Sequence, residues 1–357
     1  MNVNADTRAC LLYCRPGLEN DCAAEVSDRA NDLDIPGWCR TGNGYVEFHP
    51  STPDGLTELA RAVRFTTLVF PRQWCGVIAR CDDLTPSDRA SPLAAAVAGV
   101  CSHIGALRVE HADSMEARPL ARLARKLHGP IANALARRGV VQDAGGPTLH
   151  VFLLTGDQAL LGLSDPANAS PWIGGIPRLR APAGAPSRST LKLEEALALF
   201  LNERERTAWL RPGRRAVDLG AAPGGWSWFM AQRGLQVDAV DNACLAATLE
   251  ASPRVHHHRT DGFTFWPRQR VDWLLCDMVE RPHRIAQLSA DWLKTGYCRH
   301  AVVNLKLPMK KRWQAVRDHL EVLREALPLC GRLAARQLYH DREEITVFAT
   351  TASLPRD

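Results

Sequence analysis

One run constrains this chain more than any other: Val217-Asp218-Leu219-Gly220-Ala221-Ala222-Pro223-Gly224-Gly225-Trp226-Ser227. An apolar strand enters a tight turn and leaves it as a helix. Gly220, Gly224 and Gly225 admit positive φ and let a ligand come close to the backbone. The run is not the dinucleotide G-x-G-x-x-G, because the second glycine is missing and Pro223 intervenes. It suits a compact nucleoside with a charged tail better than a pyrophosphate. Asp241 ends the next strand, where a carboxylate accepts hydrogen bonds from both hydroxyls of a ribose. Asp261 ends the strand after that, in register to meet an adenine edge.

Short strands alternate with helices around this run. Leu191–Leu210 reads as one helix, followed by strands at RAVDLG, VDAVD, a segment ending near Asp261, VDWLLCDM and HAVVNLKLP, with helices between them. A helix over Lys310–Leu327 and two strands, RLAARQLYH and EITVFATT, close the chain. The pattern predicts a mostly parallel, doubly wound α/β sheet with an antiparallel hairpin at its edge. Residues before about 165 read instead as α+β. ACLLYC and GYVEFH are strands around a helix, then come a strand at LRVEHA, a helix over Glu116–Gly139, and the strand pair TLHVFLLTG and QALLGLS. The proline-rich stretch from Asp165 to Pro186 reads as a linker. The expected division is therefore 1–75, 76–165, a linker at 166–186, and 187–357.

Composition excludes several classes. With 46% apolar and 23% charged residues the 357-residue chain is globular, not disordered. No apolar run approaches the ~18 residues of a membrane span. The opening MNVNADTRACLLYCRPG lacks the build of a signal peptide. Eleven cysteines, odd in number and without C-x-x-C, fit neither a zinc cage nor a secreted disulfide framework. They read as reduced cytoplasmic thiols. His256, His257 and His258 alternate faces in a strand and make a poor metal site, so no metal is expected.

Four ionisable residues fall at the ends of elements facing the glycine turn. Lys192 lies in the first turn of a helix opened by Ser187-Arg188-Ser189-Thr190, whose hydroxyls are good N-caps. A cation there opposes the helix dipole and needs another reason to be present. Asp277 follows WLLC, Lys306 interrupts the apolar strand VVNLKLP, and Glu344 precedes ITVF. A lysine inside a buried strand is costly unless paired. Lys192 with Glu195, or Lys306 with Asp277, would be the plain ion-pair alternatives.

The run DLGAAPGGW resembles the S-adenosylmethionine loop of FtsJ-like Rossmann methyltransferases. The order Lys192, Asp277, Lys306, Glu344 resembles the Lys-Asp-Lys-Glu tetrad of ribose 2′-O-methyltransferases, with Glu343 the alternative to Glu344. In that chemistry Lys306 would take the 2′-hydroxyl proton, helped by a neighbouring cation and partial burial. Lys192 would stabilise the oxyanion, and Asp277 and Glu344 would orient the lysines. LRVEHAD through QALLGL resembles a THUMP module, and CRPGLENDCAAEV the ferredoxin-like segment that precedes such modules. Taken over nearly the whole length, the chain resembles the bacterial 23S rRNA ribose 2′-O-methyltransferases of the RlmM type, which act on cytidine 2498. The resemblance implies S-adenosylmethionine contacts at Ser189, Gly220, Ala222, Pro223, Gly224, Gly225, Asp241, Asp261 and Asp277. Relatives often carry Cys where this chain has Ala222, but the contact there is through backbone. The resemblance also implies a cytoplasmic enzyme, monomeric and away from membranes, that meets 23S rRNA before the large subunit is complete.

The net charge of +5 is modest, yet three stretches hold no acidic residue: 118–138, 166–193 and 299–317. Such runs suit phosphate contacts, and Trp172 near Arg178 and Arg180 suits base stacking. Two other readings stay open: methylation of another RNA such as tRNA, and a non-catalytic RNA-binding assembly factor. A base methyltransferase would usually show a catalytic Cys or an Asn-Pro-Pro-Tyr-like loop where this strand ends Cys276-Asp277-Met278-Val279.

Overall fold

The computed structural model describes residues 3–4 and 9–353; most of the polar opening stretch discussed above lies outside them. The chain forms two units, Met1–Pro177 and Arg178–Asp357.

The first unit is built from β1 (Val3–Asn4), β2 (Cys10–Tyr13), α1 (Glu19–Asn31), β3 (Gly37–Gly42), β4 (Tyr45–Pro50), α2 (Gly55–Ala62), β5 (Gln73–Cys81), α3 (Ala90–Ala98), β6 (His103–Ile104), β7 (Ala106–His111), α4 (Leu120–Arg137), β8 (Val141–Gln142), β9 (Thr148–Leu153) and β10 (Ala159–Ser164). One sheet runs β3-β4-β2-β5-β10-β9-β7, with β1 also on β5. Among the described residues the β7–β9 pair is the one parallel pair in it. The strand β5 pairs with β2 through Gln73–Gly76 and with β10 through Gly76–Cys81. The border expected at 75/76 thus falls inside one strand, and the two halves share a sheet. All six residues of β9 are buried, which is why its sequence shows no polar alternation. Its His150 is satisfied by Glu110 at 2.8 Å and Ser164 at 2.8 Å, and Tyr13 also donates to Glu110.

The expected linker is shorter than its composition suggests. The Asn168 side chain donates to the carbonyls of Ala60 and Val63, Gln73 donates to that of Ser170, and the Gly174 amide donates to Glu110. Arg108 gathers the carbonyls of Ser170, Pro171 and Trp172. These bonds satisfy a proline-rich segment that has no ladder of its own, so residues 166–177 belong to the first unit.

The second unit comprises α5 (Thr190–Phe200), α6 (Glu203–Trp209), β11 (Arg215–Leu219), α7 (Gly225–Gln232), β12 (Gln236–Val240), α8 (Ala247–Glu250), β13 (Val255–His258), β14 (Trp273–Cys276), α9 (Pro282–Lys294), β15 (His300–Lys306), α10 (Arg312–Glu325), β16 (Arg332–Arg336) and β17 (Glu344–Thr350). Its sheet runs β13-β12-β11-β14-β15-β17-β16. The first five are parallel, and β17 is antiparallel to both neighbours. Chain order reverses at β11, which places a crevice at the carboxyl ends of β11 and β14. The single helix expected over Leu191–Leu210 is two. Asn202 accepts from the Glu205 amide while Glu205 accepts from the Asn202 amide, and this capping box starts a new helix where the sequence periodicity alone would continue the old one.

Among the described residues no helix is long and apolar enough to cross a membrane. A titratable histidine sits in the core of this unit. His300, 3% exposed, lies between the rings of Trp209 at 4.3 Å and Trp273 at 4.6 Å and bonds to Thr350. Burial, helped by nearby arginines, drives its pKa down from 6.5 to about 3. The unfolded chain therefore takes up this proton first. Stability is fully present above about pH 6.5 and falls as pH drops toward 3, by about 5 kcal/mol in all. Denaturant midpoints measured at pH 7.5 and pH 5 are expected to fall steeply for the native protein. The loss is smaller for His300→Phe.

Candidate active site

From Ala216 to Leu219 the strand β11 is buried, and its one polar residue there, Asp218, accepts a hydrogen bond from Ser227 at 2.7 Å. Burial outweighs that bond and pushes the Asp218 carboxyl up to about 7. The turn after it needs its glycines for different reasons. Gly220 has φ +76°, and a Cβ there would stand 2.6 Å from Met278 Cγ. Gly224, at φ +109°, presses on Leu249, and Gly225 has room only for hydrogen against Ser189 and Ser187. The amides of Gly220 and Ala221 both donate to the Val240 carbonyl, and the Pro223 carbonyl accepts from Ala246.

Asp241 closes this turn from the side of β12. One carboxylate oxygen accepts from the Ala222 amide at 3.0 Å, the other from the Ala243 amide at 2.8 Å. Asp261 lies three residues beyond β13 rather than at its end, and accepts from the Phe263 amide. A cavity of about 430 Å³ opens here, lined among others by Gly220, Ala222, Asp241, Asp261, Asp277 and Met278. Phe263 and Arg284 line it too, with the guanidinium 4.0 Å above the ring; nothing in the sequence pattern singled them out.

Ser189, Pro223, Gly224 and Gly225 do not line the cavity. The hydroxyls expected to cap α5 do not cap it. Ser189 instead contacts Ser187, its carbonyl accepts from the Trp226 indole at 2.9 Å, and Thr190 donates to the Ser187 and Gly225 carbonyls. These bonds fasten the start of α5 to the start of α7.

That fastening brings Lys192 over the sheet. Its ammonium lies 2.5 Å from Glu344 Oε1 and 3.5 Å from Asp277 Oδ2. Lys306, at the last position of β15, pairs with the other oxygen of Glu344, and the β15–β17 register sets the two residues opposite each other. Glu344 is thus the member of the Glu343–Glu344 pair that faces inward; Glu343 is 77% exposed. Burial alone would raise the Glu344 carboxyl, but hydrogen bonds and charge from Lys192 and Lys306 hold it below the usual value. Burial likewise opposes the charge on Lys192, and Asp277 with Glu344 overcomes it, raising its pKa. Neither plain ion-pair alternative forms. Glu195 accepts from the amides of Tyr339 and His340, and Asp277 faces Lys192, not Lys306.

Three supporting residues escaped the sequence reading. Asn304 donates to Asp277 at 2.7 Å, and Thr346 bonds to Asn304 and to the buried Asp341. Burial, reinforced by Glu344, pushes the Asp341 carboxyl well above its ordinary range. The signal was the strand period of two: Asn304 shares a face with Lys306, and Thr346 shares one with Glu344.

A doubly wound sheet with a nucleoside-sized cavity at its reversal point and a charged constellation beside it defines a class, and the comparisons agree with it. Residues 185–308 match the model of the FtsJ-like methyltransferases. The enzyme is a methyltransferase of that class. Residues 8–75 match the RlmM ferredoxin-like domain, and residues 88–165 match the N-terminal part of ribosomal RNA large subunit methyltransferase M. Proteins of that name from Xanthomonas oryzae pv. oryzae strain PXO99A and Azoarcus sp. strain BH72 are 46% and 44% identical. The first alignment covers 95% of this chain and 98% of the relative, the second 95% of each. The chain belongs to the ribosomal RNA large subunit methyltransferase M family.

Proposed function

We propose that this enzyme methylates the ribose 2′-hydroxyl of a cytidine in 23S rRNA, cytidine 2498 by family resemblance, with S-adenosylmethionine as donor. The observation that carries the reading is the chain of contacts Lys306–Glu344–Lys192–Asp277 at the carboxyl ends of β14 and β15, beside the cavity. The cavity residues fit the donor. Each Asp241 oxygen takes one amide and keeps acceptor capacity for a ribose hydroxyl. One oxygen of Asp261 remains for the adenine side. Gly220 offers bare backbone. When bound, S-adenosylmethionine supplies an electrophilic methyl group on a sulfonium.

The chain's own residues do the rest. Lys306 accepts the proton of the ribose hydroxyl as general base. Lys192, held charged by Asp277 and Glu344, stabilises the oxygen as its charge develops. Glu344 fixes the spacing of the two lysines, and Asn304 with Thr346 fixes Asp277. No residue forms a covalent bond to the substrate; positioning supplies the remaining acceleration. The first unit, read as a ferredoxin-like part over 1–75 and a THUMP-like part over 76–165, captures the RNA before the large subunit is complete. The enzyme works in the cytoplasm as a monomer.

Mapping of ribose methylation tests this directly, since a 2′-O-methyl group protects the adjacent phosphodiester from alkali. In 23S rRNA from cells lacking the gene, protection is expected to disappear at one cytidine and nowhere else. An unchanged protection pattern rules the reading out.

A further inference from the structure

The first unit contains a cavity that methyl transfer does not use. It has a volume of about 440 Å³ and lies between the start of β4, the end of β9 and the segment leading into α4. Its floor is apolar: Tyr45 and Phe152, whose rings meet edge to face at 5.3 Å, with Leu120 beside them. Its rim is polar. Asn43 donates to Glu116 Oε2 at 2.7 Å, which leaves Asn43 Oδ1 and Glu116 Oε1 as acceptors. Glu116 is the last acid before the acid-free run 118–138. There Arg118, Arg122 and Lys126 are exposed, and none forms an ion pair among the described residues.

We infer that this cavity receives one unpaired nucleobase of the RNA, bearing an exocyclic amino group, while Arg118 and Arg122 neutralise the flanking phosphates. An aromatic floor suits the face of a base. A rim that offers acceptors favours cytosine, adenine or guanine, whose amino groups donate, over uracil, which has none. A carboxylate beside a polyanion would otherwise be unfavourable, and the basic residues next to it offset that repulsion. The inference rests on the RNA-binding reading above and adds where the first unit grips and what it prefers.

Fluorescence anisotropy of labelled decacytidylate and decauridylate with the full-length protein, in the absence of S-adenosylmethionine, tests it. The native protein is expected to bind decacytidylate at least about fivefold more tightly. Tyr45→Ala weakens decacytidylate about tenfold. Glu116→Gln, at an exposed position, removes the charged acceptor while Asn43 Oδ1 remains, and narrows the preference between the two oligonucleotides. Arg118→Ala weakens both equally and lowers the salt dependence. Equal affinity of the native protein for the two, or an undiminished preference in Glu116→Gln, overturns the inference. A pocket that binds a protein segment would give that second result. Lys306→Ala protein, read in the same assay, keeps the preference, so failure here is separable from failure of the proposed chemistry. Absence of any RNA binding by the native protein would overturn both.

Discussion

Lys306→Ala is expected to lower the rate of methyl transfer by about a thousandfold or more, the scale of a lost general base, while S-adenosylmethionine affinity stays within about twofold. The separation follows from the geometry. Lys306 does not line the cavity; its partner Glu344 lies across β15 and β17, and the cavity is shaped by β11, β12 and β14 with the loops after them. Lys306→Arg sharpens the test. Arginine keeps the cation and its pairing with Glu344, but it cannot be deprotonated in a protein. Activity in Lys306→Arg near the native level would mean that the charge, not proton acceptance, is what the reaction needs. Single-turnover kinetics together with calorimetric titration of S-adenosylmethionine separate the two effects.

Glu344→Ala is expected to damage stability and catalysis together. Glu344 is 2% exposed at its side chain and takes both lysines. Its removal leaves the two ammonium groups facing each other with Asp277 as the remaining nearby carboxylate. Removing one partner of a buried charged group costs about 3–5 kcal/mol, and the lower end applies because Lys306 is 33% exposed. Displaced lysines would also lower turnover, by about a hundredfold for a shift on the order of 1 Å. Glu344→Gln keeps the shape and one hydrogen bond and should fall between the two. The pH dependence has a definite sign. The Glu344 carboxyl is held below its unfolded value, so its stabilisation is complete above the usual carboxylate range and is lost as pH falls through the depressed value. In Glu344→Gln that acid-side contribution is absent, which urea denaturation from pH 3 to pH 7 would show. Equal stability of Glu344→Ala and the native protein would mean that the lysines find other partners.

The catalytic unit was legible in the sequence because its signals are local. A strand, a glycine turn and a helix follow each other within a few residues, and polar residues stand out at the ends of apolar strands. Asp241, Asp277, Lys306 and Glu344 were visible for that reason. What escaped depends on register and on long-range hydrogen bonds. Asn304 and Thr346 look like ordinary strand residues until β15 and β17 are paired, and Asp341 looks like a turn aspartate until it is buried. The break between α5 and α6 is local, an Asn202–Glu205 box, but the apolar spacing runs across it and hides it. In the first unit the error was compositional. Proline and glycine in residues 166–177 suggested a free linker, while the bonds that hold the segment come from Asn168, Gln73, Arg108 and Glu110, distant in sequence.

The central claim is that the methyl group goes to a ribose oxygen. It is tested most directly by incubating the purified enzyme with isotopically labelled S-adenosylmethionine and 23S rRNA from cells lacking the gene, then digesting the RNA to nucleosides for mass spectrometry. The account predicts label in 2′-O-methylcytidine alone, and none when Lys306→Ala replaces the native enzyme. Label in a base-methylated nucleoside, or undiminished label with Lys306→Ala, would contradict it.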